Sequence, residues 1–201
     1  MARTLDRSPN ASLQRIGTST RAVTDRIVKV FDKATPSDIE AGSRWYDEAG
    51  ELCSDLASKA GSREHAAAVI AHLSPRTSWT RNVEGAIELL VTGSCTGSGC
   101  IGANVDRAQT ALACLTGDEA IETLNGPKTR RFALNILGDR ESVTVDVWAA
   151  RVAGITEQDL GKVGVYDAVE HAYRLAARRR GVDPATMQAT TWVVARNGRS
   201  A

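Results

Sequence analysis

Long apolar runs are missing from this 201-residue chain. No stretch approaches the ~20 residues that a bilayer-spanning helix needs. The N-terminal MARTLDRSPNAS has no apolar h-region, so no secretory signal is read there. The expected location is the cytoplasm, with no membrane partner. Histidine is scarce, at three residues (His65, His72, His171). Of the four cysteines (Cys53, Cys95, Cys100, Cys114), Cys95 and Cys100 share a Gly/Ser loop, but no second pair or nearby histidine completes a zinc pattern. No metal is expected, and the thiols are read as reduced. Excess charge is also lacking, at a net +1. Duplex-binding domains are usually more basic, so contact with phosphate would have to come from local patches. There is no internal repeat and no heptad run. Val143-Thr144-Val145 is the only convincing extended stretch.

What is present is helical periodicity with short connections, which reads as an all-α protein. Residues 1–20 are polar and aperiodic and are taken as a mobile arm, followed by one helical domain of two lobes over 21–201. Thr35-Pro36 supplies a cap and a first-turn proline for a helix ending at Gly61. The spacing predicts a helix over Arg63–Leu73, stopped by Pro75, and another after Ser78. Gly93–Gly102 reads as a loop, and Asp183-Pro184 opens the last helix.

Three segments carry candidate chemistry. In Gly126-Pro127-Lys128, a glycine turn followed by proline at the first helical position exposes backbone N–H groups that favour a phosphate. The same residues also suit a plain helix-loop-helix. Val145-Asp146-Val147-Trp148, followed by Arg151-Val152, places a carboxylate at a helix start, where an aspartate can be simply an N-cap. The turn Ser74-Pro75-Arg76-Thr77-Ser78 leads into Trp79, Arg81 and Asn82. Arginine and amide groups beside an aromatic suit nucleotide contacts, and a capped helix start with one packed tryptophan is the plainer reading. Gln188, Trp192 and Arg196 fall on one helical face, either as packing with a snorkelling arginine or as a base contact. Arg178-Arg179-Arg180 ends a helix, where cations suit the macrodipole, and reads as a solvated end with nucleic-acid contact as the second reading.

In their order, the segments from about Glu64 to Gly154 resemble the helix-hairpin-helix DNA glycosylase superfamily, which includes endonuclease III. That family's hairpin reads approximately L-P-G-V-G-x-K-T-A. Leu124, Gly126, Lys128 and Thr129 match it, in a loop two residues shorter that lacks the second glycine. Asp146, Arg151 and Val152 match the family's V-D-T/V-H-V-x-R-V, with Trp148 where a histidine is common. Lys128 and Asp146 stand 18 residues apart. Ser74 matches a serine of the family's L-I-x-x-L-L-S-A-Q-x-T-D segment, and Arg76 takes the place of the wedge glutamine. No cysteine follows Cys114, so the iron–sulfur cluster of the endonuclease III type is not expected, nor any other cofactor.

The resemblance implies a two-lobed helical fold with a central cleft, acting as a monomer on duplex DNA with a flipped nucleotide. Asp146 would stabilise the oxocarbenium-like transition state of base excision. Lys128 would either attack the anomeric carbon as a neutral amine, giving lyase activity, or hold a phosphate. The nucleic-acid contacts would come from Ser74, Arg76, Thr77, Trp79, Arg81, Asn82, Gly126, Thr129, Arg130, Gln188, Trp192 and Arg196. Size and motif are also similar to phage-encoded glycosylase-like proteins linked to base modification. A base-modifying enzyme and a non-catalytic nucleic-acid-binding module are the alternative readings.

Overall fold

The computed structural model describes residues 8–96 and 100–198. It is all-α, with no strand among the described residues. The first helices are α1 (Pro9–Gln14), α2 (Thr20–Phe31), α3 (Pro36–Ala60), α4 (Arg63–Leu73), α5 (Trp79–Thr92) and α6 (Gly102–Leu112). They are followed by α7 (Gly117–Glu122), α8 (Pro127–Ile136), α9 (Val147–Ala153), α10 (Glu157–Leu160), α11 (Val165–Arg180) and α12 (Pro184–Arg196). No helix among the described residues is long and apolar enough to cross a membrane. The chain divides into two compact units: a terminal unit of Met1–Trp45 with Arg140–Ala201, and an inserted unit of Tyr46–Asp139. The division falls inside α3.

The terminal unit is built around α11. Val169, Ala172, Tyr173 and Ala176, spaced three and four apart, form the apolar stripe that the sequence shows, and all are buried. They meet α2 through Val23, Ile27 and Val30, α1 through Leu13, and α12 through Met187 and Val194. Full burial of a side chain of this size contributes roughly 1.5–3 kcal/mol. Tyr173 is fully buried, and its hydroxyl donates to Ala149 O at 3.1 Å, so its polar end is not stranded. The arm expected over residues 1–20 needs correction for the part described. Ser8 caps α1, Leu13 lies in the core, and Ser19 caps α2. Residues 1–7 lie outside the described residues.

The segment Ser142–Val145 corrects a second expectation. It is buried but belongs to no ladder, because side chains satisfy its backbone instead. Val143 N donates to Glu170 Oε1 at 3.2 Å and Val145 N to Tyr166 Oη at 3.0 Å, while the Tyr166 hydroxyl donates to Val143 O at 3.2 Å. Glu170 also receives Arg174 Nη2 at 2.6 Å, which compensates its buried charge. The Arg178–Arg180 end is not simply solvated. Arg179 donates to Asp25, and Arg180 grips Asp32 with two bonds of 2.6 Å, fastening the end of α11 to α2. That ion pair holds the Asp32 carboxyl below the ordinary range.

The inserted unit is built around α4, whose residues His65–Leu73 are all buried. The sequence suggests one stripe (Ala66, Val69, Ile70, Leu73). The rest is buried as well because α5, α6, α7 and α8 surround this helix, and alanines at 66, 67, 68 and 71 let them approach closely. Arg63 Nη2 donates to Ile136 O at 3.0 Å, supplying a partner at the C-terminal end of α8. Cys53 is fully buried, and loss of solvation pushes its thiol up to about 12, with Arg63 opposing.

Candidate nucleic-acid interface

In the inserted unit, the turn after α4 is defined by its hydrogen bonds. Thr77 N donates to Ser74 O at 3.3 Å, with Pro75 and Arg76 as the two central residues. Ser74 also turns its hydroxyl back to Ala71 O at 2.9 Å, and the Thr77 hydroxyl donates to Pro75 O at 3.3 Å. Arg76 has φ +61°, the only positive φ of a non-glycine among the described residues. Proline followed by a left-handed residue is the pattern of a type II turn, whose third position normally holds Gly or Asn. A β-carbon there costs about 1 kcal/mol or more. The cost is borne at an exposed arginine with no carboxylate partner among the described residues.

Two contacts tie the residues flanking this turn to the rest of the inserted unit. His72 Nε2 lies 2.8 Å from Thr123 Oγ1, and the Thr123 hydroxyl donates to Ala120 O at 2.6 Å. The imidazole is therefore the donor in the first bond. Burial lowers the His72 pKa to about 4, and Arg107 adds to that effect. The second contact is edge-to-face: the rings of Trp79 and Phe132 are 6.4 Å apart at 81°. These contacts join the end of α4 to the residues before α8, and the first residue of α5 to the body of α8.

The starts of α5 and α8, both in this unit, have no side-chain cap. Ser78 precedes α5 and Gly126 precedes α8, and neither helix receives a capping side-chain bond. Their first-turn N–H groups carry the positive end of the helix dipole and suit an anion. Gly126 has φ −93°, so the turn does not use its left-handed freedom, a difference from the tight glycine turn read in the sequence. Thr129 donates back to Gly126 O at 3.1 Å. Lys128, on the first turn of α8, is partly exposed and has no hydrogen-bond or ion-pair partner among the described residues. Arg81 is exposed.

Two expected surface contacts in this unit are otherwise occupied. Asn82 is buried, and its amide donates to Ile70 O at 3.1 Å, serving a carbonyl near the end of α4. Its Oδ1 has no partner. Arg130 makes a two-bond pair with Glu122, at 3.0 and 2.6 Å, which keeps the Glu122 carboxyl below its usual range. The sequence pattern of α5 points to Val83, Ile87, Leu90 and Val91 as its inner stripe, but Ile87 and Val91 are exposed and the buried face is Asn82, Gly85, Ala86 and Leu89. The partner of Arg130 was not readable in the sequence either.

The terminal unit holds the other candidates. Asp146 is the N-cap of α9, its Oδ1 accepting Ala149 N at 2.8 Å. The residue is held by the buried Val143–Val145 segment before it and by Asp146 N donating to Thr144 O at 3.1 Å. Arg151 stacks over Trp148, its Cζ 4.9 Å from the ring centroid. On α12, Gln188 is buried, contrary to an exposed stripe. Trp192 is partly exposed, meeting Trp45 edge-on at 6.0 Å, and Arg196 lies over Trp192 at 4.7 Å. Lys128 and Asp146 therefore belong to different units. Tyr166 and Glu170 are structural participants that the sequence reading missed. Glu170 was detectable in principle, because it lies beside the apolar stripe of α11.

No group of three or more His, Cys, Asp or Glu residues that could hold a metal occurs among the described residues. A family model described as a family of unknown function, DUF7178, matches residues 10–199. The chain belongs to that family. No curated protein and no solved structure matches it. In this DUF7178 member, the candidate groups are the Ser74–Arg81 segment and the start of α8 in the inserted unit, and the α9 and α12 residues of the terminal unit.

Proposed function

We propose that this protein is a DNA N-glycosylase-like enzyme that binds duplex DNA and excises a flipped damaged or modified base. The observation that carries the reading is Lys128, a partnerless amine on the first turn of an uncapped helix, in the same unit as a turn that holds Arg76 left-handed. Phosphates would take the open helix starts and the arginines. Asp146 would supply the carboxylate for the reaction. As the C1′–N bond breaks, its electron pair leaves with the base, and the carboxylate stabilises the cationic sugar. Lys128 Nζ, once deprotonated, would form the new bond to C1′, and ring opening would give a Schiff base.

The test is incubation with a panel of lesion-bearing and modified duplexes in the presence of sodium borohydride. The expected result is base release and a covalent protein–DNA complex that Lys128→Ala abolishes. Base release without a complex would leave Lys128 as a phosphate contact. A chemically altered base on an intact strand would favour base modification instead. No release from any substrate would overturn the enzymatic reading.

One observation favours a non-catalytic binding module as a second reading. The 2.8 Å cap on Ala149 N gives Asp146 a structural role that needs no substrate. That reading expects salt-dependent DNA binding, unchanged in Asp146→Asn, with no turnover.

A further inference from the structure

We propose that Trp192 and Arg196, backed by Trp45, form a stacking site for an unpaired nucleotide on the terminal unit. The inference rests on the nucleic-acid reading above and deepens it by giving the terminal unit its own contact with a base. Along α12, residues 184–191 are buried, and the pattern then changes. Trp192 and Val193 are partly exposed, and Arg196 is exposed. Trp192 is thus a large aromatic left partly open at the end of a helix otherwise sunk into its unit.

Its counterpart on α9 behaves differently. Trp148 also carries an arginine over its ring, but it packs against the hydrophobic core of the terminal unit. Trp192 is not part of that cluster. It is supported edge-on by Trp45, with ring centroids 6.0 Å apart at 61°, which fixes the indole and lowers the entropy lost when a ligand stacks. Arg196 has no carboxylate partner among the described residues, unlike Arg174, Arg179 and Arg180 of the same unit.

The chemistry selects the ligand class. With a guanidinium 4.7 Å from the indole centroid, a second cation would be repelled, so the group is not a cage for an ammonium ligand. An aliphatic ligand would leave the charge unused. A nucleotide uses both parts: its base offers a flat ring to the Trp–Arg stack, and its phosphate takes guanidinium N–H donors. An unpaired base is required because a base within a duplex has both faces covered by its neighbours.

The test compares two fluorescently labelled probes, a short mixed-sequence single-stranded oligodeoxynucleotide and an abasic deoxyribose-phosphate strand of equal length. The oligonucleotide is expected to bind about tenfold more tightly than the abasic strand and to change tryptophan emission. Trp192→Leu should remove that preference. Arg196→Gln, at an exposed position that folding tolerates, should weaken both probes about threefold or more and lower the salt slope by about one. Equal binding of the two probes by the wild type, or oligonucleotide binding indifferent to both substitutions, overturns the stacking site alone. Failure to bind any nucleic acid, the duplex included, overturns the nucleic-acid reading with it.

Discussion

In the terminal unit, side chains close most helix starts. Ser8, Ser19, Asp146, Thr156 and Asp183 each accept a first-turn N–H, and of its remaining helix starts α11, behind Gly164, has no cap. In the inserted unit Ser62 and Thr116 do the same for α4 and α7, but α5, α6 and α8 begin without a side-chain acceptor. Ser78 is the informative case, since its hydroxyl has the right chemistry and position and makes no capping bond. Buried polar atoms without partners do not separate the units: Asn82 Oδ1, Asn104 Nδ2 and Arg63 Nε in the inserted unit have counterparts in Thr20 Oγ1 and Thr190 Oγ1 of the terminal unit, so the contrast lies at the helix starts. Donors that a fold leaves open are available to something outside it. The terminal unit has closed most of its helix starts with side chains, and the inserted unit has left three of them open.

The sharpest way to test the closed character of the terminal unit is Glu170→Ala. It removes the acceptor of Val143 N and leaves Arg174 without its carboxylate, so urea denaturation should show a loss of about 3 kcal/mol. A loss below about 1 kcal/mol would mean that the Val143–Val145 segment is not held through this side chain.

The inserted unit should respond next, and to acid. The His72 pKa falls from 6.5 to about 4 on folding, so the unfolded chain takes up the proton first as pH drops. The contribution of neutral His72 is complete above about pH 7 and is lost progressively below 6.5. Between pH 7 and 5 it should cost about 2 kcal/mol, a slope that His72→Gln removes. An identical pH profile in the variant would contradict the assignment.

Caps give a smaller and more direct contrast. Asp183→Ala removes bonds to Thr186 N at 2.8 Å and to the Thr186 hydroxyl at 2.7 Å, and should lower stability by about 1–2 kcal/mol. Ser78→Ala should change it by less than about 0.5 kcal/mol. Equal losses would erase the difference between the units. The smallest effect belongs to Arg76→Gly, which relieves the left-handed strain but adds chain entropy, for a net change within about 1 kcal/mol in thermal melts. The same variant should weaken duplex binding, and unchanged binding would remove Arg76 from the interface.

Much of the helical layout was legible because its punctuation is chemical. Ser62 before α4, Thr35-Pro36 before α3 and Asp183-Pro184 before α12 are caps and first-turn prolines, and they mark the starts that the structure shows. α1 escaped because six residues are too few to display a period, although Ser8-Pro9 is the same kind of signal. Val143-Thr144-Val145 looked like a strand because β-branched residues favour one, and the groups that displace a ladder, Tyr166 and Glu170, lie more than twenty residues away. The division into units was also hidden, since the chain leaves the terminal unit within α3 and returns only at Arg140. At the candidate site, residue types were legible but occupations were not. Nothing local tells that Arg130 is held by Glu122 while Lys128 is left alone.

Cys53 gives the inserted unit a chemical gauge of its own opening. A thiol pushed up to about 12 is ionised to roughly one part in ten thousand at pH 8, and this one is also sealed from solvent. A disulfide reagent can therefore reach it only through excursions in which α3 and its neighbours part. The partly exposed Cys100 and Cys114 should be consumed first. With Cys95, the other buried thiol, replaced by serine, the slow remaining phase divided by the rate of an unhindered thiol reads the fraction of time this unit spends open.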